Sequence, residues 1–195
     1  MGAGLASVAG VRAFLPLALV ALFAALGLFE PTTSSYVDVG GDGWWWSAFG
    51  VLAPLSVLEI VLDKIPALER AFNYAMVPVR AFAGGMLFTA ALGFDLETGA
   101  LPWLAGGAAI AGAVAVAKVL LRPPARATSA GVSTAFLSAV EDVVALVGCI
   151  LALLVPWLPL ATLLPVVLVA FLLFFFYRIR KRRGRKYGGL RILGD

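Results

Sequence analysis

Residues 44–66 read WWWSAFGVLAPLSVLEIVLDKIP. The run from Trp44 to Ile65 is long enough to cross a hydrocarbon core about 30 Å thick, which takes about 20 helical residues. Its two ends differ in chemistry. Trp44, Trp45 and Trp46 open it with rings that bury an apolar body and hydrate one N–H at a membrane interface. Lys64-Ile65-Pro66 closes it with a base and a helix stop. Between these ends Glu59 and Asp63 stand four residues apart and share a helix face. Ionised groups in hydrocarbon must face protein or water, so this is a membrane helix packed against other helices.

Working outward, apolar runs between breakers predict further spans near residues 5–29, 79–94, 101–121, 134–155 and 160–177, six with the 44–65 run. The expected fold is an all-α polytopic membrane protein of about six transmembrane helices, with a bundle over 1–177 and a basic tail over 178–195. Hydrophobic residues make up 62% of the chain and charged residues 13%, which excludes a soluble domain. The first thirty residues resemble a signal peptide in apolarity, but are expected to be kept as a membrane helix. Ala6 stands where N-myristoylation needs Ser or Thr, so anchoring is by helices alone.

Charge divides by side. Arg12, Lys64, Arg70, Arg80, Lys118, Arg122 and Arg126 fall at alternate helix ends together with the C-terminal bases, whereas the opposite connections carry Glu30, Asp38, Asp42, Asp95 and Glu97. The positive-inside rule then expects both termini on the cytoplasmic side of a multi-pass chain. Trp103 and Trp157 join the Trp44–Trp46 triplet at the outer ends as interfacial anchors, with ligand stacking by the triplet as the other reading. Seven bases lie between Arg178 and Lys186; each contributes about 1 kcal/mol near an anionic lipid surface. Anionic lipids are therefore the expected partner of the tail, and nucleic acid is not. The single Cys149 and the absence of His leave neither a disulfide framework nor the commonest zinc ligands.

Val11-Arg12-Ala13-Phe14 recurs as Val79-Arg80-Ala81-Phe82, each opening a span that is followed by Trp and a second span, with Val132-Ser133-Thr134-Ala135-Phe136 as a fainter third copy. Three tandem helical hairpins would produce this pattern; so would recurrence of small and apolar residues by composition alone.

The residues able to carry chemistry are few. Glu59, Asp63, Ser138, Glu141 and Asp142 are candidates for ion binding or transport, the last three on a polar stripe of one helix with Thr134. Arg12, Lys64, Arg80, Lys118 and Arg122 are candidates for an anion or lipid head group. The acids should turn inward and meet Arg12, Arg80 or Lys118, either as ion pairs that fix helix ends or as the lining of a polar cavity open to the cytoplasm. Carboxylates without histidine favour a hard cation or a proton; the identity of any metal stays open. No zinc motif, nucleophile elbow or phosphate-binding glycine loop occurs, so no catalytic residue and no cofactor is expected. Gly84-Gly85 allows either a break in the third helix or close helix packing. Gly107, Ala111 and Ala115 give the fourth helix a small-residue face suited to the bundle centre or to a contact in a homo-oligomer.

Arg12-Ala13-Phe14-Leu15-Pro16, Glu59 with Asp63-Lys64-Ile65-Pro66, and Ser138-Ala139-Val140-Glu141-Asp142-Val143 resemble the bacterial integral membrane family catalogued as domain of unknown function 4126. The resemblance covers about residues 4–160, its more specific parts being Asp-Lys-x-Pro and Ser-x-x-Glu-Asp. Relatives of that type tend to carry further acids shortly after Asp-Lys-x-Pro, where this chain has Glu69 and Asn73, a departure that weakens a site built there. The resemblance implies a multi-pass location in the bacterial inner membrane and supplies no substrate. The functional expectation is a small transporter or channel-like permease for an ion or anionic lipid head group. The competing one is a structural or accessory membrane protein binding lipids or partner helices.

Overall fold

The computed structural model describes residues 1–28, 42–65, 68–92, 99–121 and 132–155. The expected span at 160–177, the tail over 178–195, Arg122, Arg126, Trp157 and the side chain of Thr134 lie outside the described residues, as do Glu30, Asp38, Asp95 and Glu97. Among the described residues there are six helices and no strand: α1 (Gly2–Val11), α2 (Phe14–Ala25), α3 (Asp42–Lys64), α4 (Glu69–Leu92), α5 (Leu101–Leu121) and α6 (Val132–Leu154).

Three segments, Gly43–Lys64, Ala71–Leu92 and Leu101–Leu120, are long and apolar enough to cross a membrane. The distribution of side chains agrees. Val51, Val57, Phe82 and Leu120 are 60% or more exposed, while Arg12, Arg80, Glu59, Asp63 and Glu141 are at most 2% exposed. Apolar groups outside and charges within reverse the order of a water-soluble domain and mark a membrane protein.

These are not the six helices expected. The single span foreseen over 5–29 is two helices, parted at Arg12 and Ala13. α4 begins at Glu69, ten residues ahead of the expected 79, and runs through Pro78. Membrane helices tolerate an internal proline where neighbouring groups take up the freed carbonyl. α4 is also unbroken at Gly84-Gly85, where the reason for glycine is proximity. A Cβ on Gly84 would lie 2.2 Å from Ala111 Cβ, and one on Gly85 would lie 2.7 Å from the Leu104 carbonyl oxygen. The small-residue face of α5 is thus taken up by α4 and α1 inside the chain, and Ala111 and Ala115 are wholly buried.

Nine of the ten residues of α1 are buried, so this short helix forms the centre of the bundle. Its small side chains allow that approach: a Cβ on Gly10 would meet the Ala111 carbonyl oxygen at 2.5 Å. Around it Leu5, Val8 and Ala9 pack with Leu87 of α4 and with Ala145, Cys149 and Ala152 of α6. Gly2 adjoins Phe88 and Ala91 near the end of α4, while the Val11 carbonyl reaches Lys118 near the end of α5. α1 therefore runs antiparallel to α4. α2 starts at Glu59 and packs along α3. Only five residues of α3 remain beyond Glu59, Lys64 being the last, so a twelve-residue helix lying along α3 runs back toward Asp42. α1 and α2 are the two arms of a hairpin with its tip at Arg12. The start of the chain consequently lies toward the end of the bundle away from Lys64, and not beside it as the charge pattern suggested.

Candidate functional site

The hairpin tip has a local cause. Pro16 lacks the N–H that would bond the Arg12 carbonyl, and its ring crowds that oxygen, so a helix cannot pass smoothly through Arg12. Arg12 itself is extended (φ −138°, ψ 120°), its N–H closing the last turn of α1 on Val8 O at 3.0 Å. In the recurring tetrapeptide the position of Pro16 is taken by Gly84, and α4 continues.

Breaking a helix inside an apolar bundle exposes carbonyls at one end and N–H groups at the other, with partial charges of about −0.5 and +0.5. Charged side chains of opposite sign meet both. Lys118 Nζ donates to Val11 O at 3.1 Å at the negative end of α1. At the positive end of α2 the Glu59 carboxylate accepts from Ala13 N at 3.2 Å and Phe14 N at 3.1 Å. Arg80 completes Glu59, donating to Oε1 from Nη2 at 3.1 Å and from Nε at 3.3 Å.

From there the network continues without interruption. Arg80 Nη1 donates to Asn73 Oδ1 at 3.0 Å, and Asn73 Nδ2 donates to Asp63 Oδ1 at 2.6 Å. Asp63 Oδ2 pairs with Arg12 Nη2 at 2.7 Å and Lys118 Nζ at 3.6 Å, and accepts from Ser138 Oγ at 3.1 Å. Lys118 also pairs with Glu141 Oε2 at 3.0 Å. Arg12 Nε donates to Asp142 Oδ1 at 2.7 Å, and Lys64 Nζ lies 3.1 Å from Asp142 Oδ2, an ion pair without hydrogen-bond alignment. Four bases, Arg12, Lys64, Arg80 and Lys118, face four acids, Glu59, Asp63, Glu141 and Asp142, so the formal charges cancel.

Nine of the ten candidate residues thus converge on one end of the bundle; the tenth, Arg122, lies outside the described residues. Asn73 was not among the candidates, yet it links Arg80 to Asp63. A neutral amide gives no warning of its burial, and the expected helix began after it. Its spacing of seven from Arg80, two helical turns, was the available signal. Trp44 and Trp46 lie half-exposed at the far end of α3, apart from this network.

A family model described as Domain of unknown function (DUF4126) matches residues 1–178. The chain belongs to the DUF4126 family. Neither a curated protein nor a solved structure matches it. The chemistry of this DUF4126 chain lies in its own side chains: a charge-balanced set of ion pairs, buried except at the Lys64–Asp142 edge, built around an interrupted helix. Among the described residues no group of three or more His, Cys, Asp or Glu side chains is arranged to hold a metal ion.

Proposed function

We propose that this chain is a small permease of the bacterial inner membrane, moving an ion or an anionic lipid head group past the charged network. The supporting observation is the interrupted helix whose two ends are held by Lys118 and Glu59. Backbone ends inside a membrane are tolerated where they line a path or a site, and broken helices of this kind bind substrates and coupling ions in transporters. Positive-inside logic turns the network end toward the cytoplasm. The α1–α2 hairpin then enters from outside and α3 to α6 cross fully, with anionic lipids the expected partner of the basic tail. Arg12 and Arg80, the arginines of the recurring tetrapeptide, both end in this network, which favours a tandem repeat of hairpins. A homo-oligomer would widen the path that one small bundle can offer.

The test is flux in reconstituted vesicles. Glu59→Gln and Asp142→Asn should each reduce it severalfold; equal flux from both variants and the native protein, across inorganic ions and fluorescent anionic lipids, removes the reading. One observation favours the alternative of a structural or accessory protein, namely that every acid of the network is already ion-paired. Under that alternative the pure protein carries no flux and a partner chain co-purifies.

A further inference from the structure

Asp142 is held differently from the other acids. Its Oδ1 faces two nitrogens of one guanidinium, Arg12 Nε at 2.7 Å and Nη2 at 2.5 Å, while Lys64 Nζ stands 3.1 Å from Oδ2. An arginine fork on one side of an oxyanion and an ammonium on the other is how proteins hold free carboxylates and phosphates. The pair also forms the edge of the network. The Asp142 and Lys64 side chains are 16% and 40% exposed, whereas those of Asp63 and Glu141 are fully enclosed. Glu59 cannot leave without uncovering the start of α2, and Asp63 is engaged by Arg12, Asn73 and Ser138 at once. Asp142 touches neither helix end and is the most exposed acid of the network, so it can swing away from its partners without opening the helix break. Arg12 Nη1, meanwhile, is buried with no hydrogen-bond partner among the described residues, a donor not used in this arrangement.

Resting on the permease reading above, we infer that Asp142 is a tethered occupant of an oxyanion site formed by Arg12 and Lys64, displaced when a ligand bearing a phosphate- or carboxylate-type group binds. The exchange conserves charge: the ligand's anionic group replaces Asp142 against the same two bases. A tethered carboxylate competes at a high effective concentration, so the native protein holds such ligands weakly until Asp142 moves.

The experiment is a pair of binding titrations on the full chain, with inorganic phosphate in neutral-lipid nanodiscs and with phosphatidic acid incorporated into the discs. Asp142→Asn should bind at least one of them about tenfold more tightly than the native chain. Adding Lys64→Gln should reverse that gain. A gain for phosphate alone assigns a free solute, and a gain for phosphatidic acid alone assigns a lipid head group. No gain for either probe, in a variant that still unfolds cooperatively, overturns the inference. If Asp142→Asn does not fold, Lys64→Gln alone carries the test: native binding must weaken about tenfold, and unchanged binding overturns it. Tight binding by Asp142→Asn without flux in the native protein keeps the site and removes the permease. Flux in the native protein, with no gain in Asp142→Asn, does the reverse.

Discussion

Replacing Glu59 by Gln removes one charge from a carboxylate that serves two purposes. Glu59 is 1% exposed and accepts from Ala13 N, Phe14 N and the Arg80 guanidinium. The glutamine oxygen can keep one of the two backbone N–H groups, but its NH2 then faces the other as donor against donor. Arg80, with no exposed surface, is left without its carboxylate partner. Removing one member of a buried pair costs about 3–5 kcal/mol, and loss of an N-terminal helix cap about 1 kcal/mol more. Against a total stability of about 5–15 kcal/mol, the variant should be severely destabilised. The clean assay is a double-mutant cycle by reversible unfolding in mixed detergent micelles. Glu59→Gln and Arg80→Gln are each expected to cost several kcal/mol. The double variant should cost less than the two singles summed, by about 2–3 kcal/mol, because neither charge is then stranded. Single costs under about 1 kcal/mol, or strict additivity, would refute the claim that this pair holds the helix break.

Three further predictions use other parts of the bundle. Gly84→Ala drives a methyl to 2.2 Å from Ala111 Cβ and should destabilise by about 1–3 kcal/mol, whereas Gly50→Ala, with nothing within 4 Å, should stabilise α3 by about 0.5–1 kcal/mol; thermal unfolding in detergent separates them. Lys118→Met removes the ammonium that serves Val11 O, Glu141 and Asp63 together, and should cost about 3–5 kcal/mol by the same unfolding measurement. In a Cys149→Ser background, a cysteine added ahead of Met1 should react with a membrane-impermeant maleimide from the outside of intact cells, and Lys64→Cys only after the cytoplasmic face is opened; labelling of both from one face would disprove the hairpin arrangement of α1 and α2.

Much of this arrangement was legible because charge in hydrocarbon is so costly. Arg12, Arg80, Lys118, Glu59, Asp63 and Glu141 sit in apolar runs that leave them only each other as partners, so their meeting follows from the sequence without any knowledge of helix positions. α3 and α5 were equally plain, being apolar runs that end in Lys64 and in Lys118 followed by Arg122. What the residues do not carry locally is which breaker breaks. Pro54 and Pro78 lie inside unbroken helices, Gly84-Gly85 marks a close contact, and the expected span that parts among the described residues is the one holding Pro16.

The difference lies in what waits for the freed backbone groups. A proline removes one hydrogen bond wherever it falls; a full interruption opens several groups at once, and in an apolar bundle those groups need partners strong enough to replace a helical turn. At Arg12 they are supplied by Glu59, 46 residues from Ala13, and by Lys118, 107 residues from Val11. Neither can be seen from the hexapeptide Val11–Pro16, and each is itself committed there only because Arg80, Glu141 and Asp63 balance its charge. The break and the charge network are therefore one feature. Without the carboxylate and the ammonium the two helix ends would have no partners, and without the helix ends Glu59 and Lys118 would lose the backbone groups that help hold them in the bundle interior.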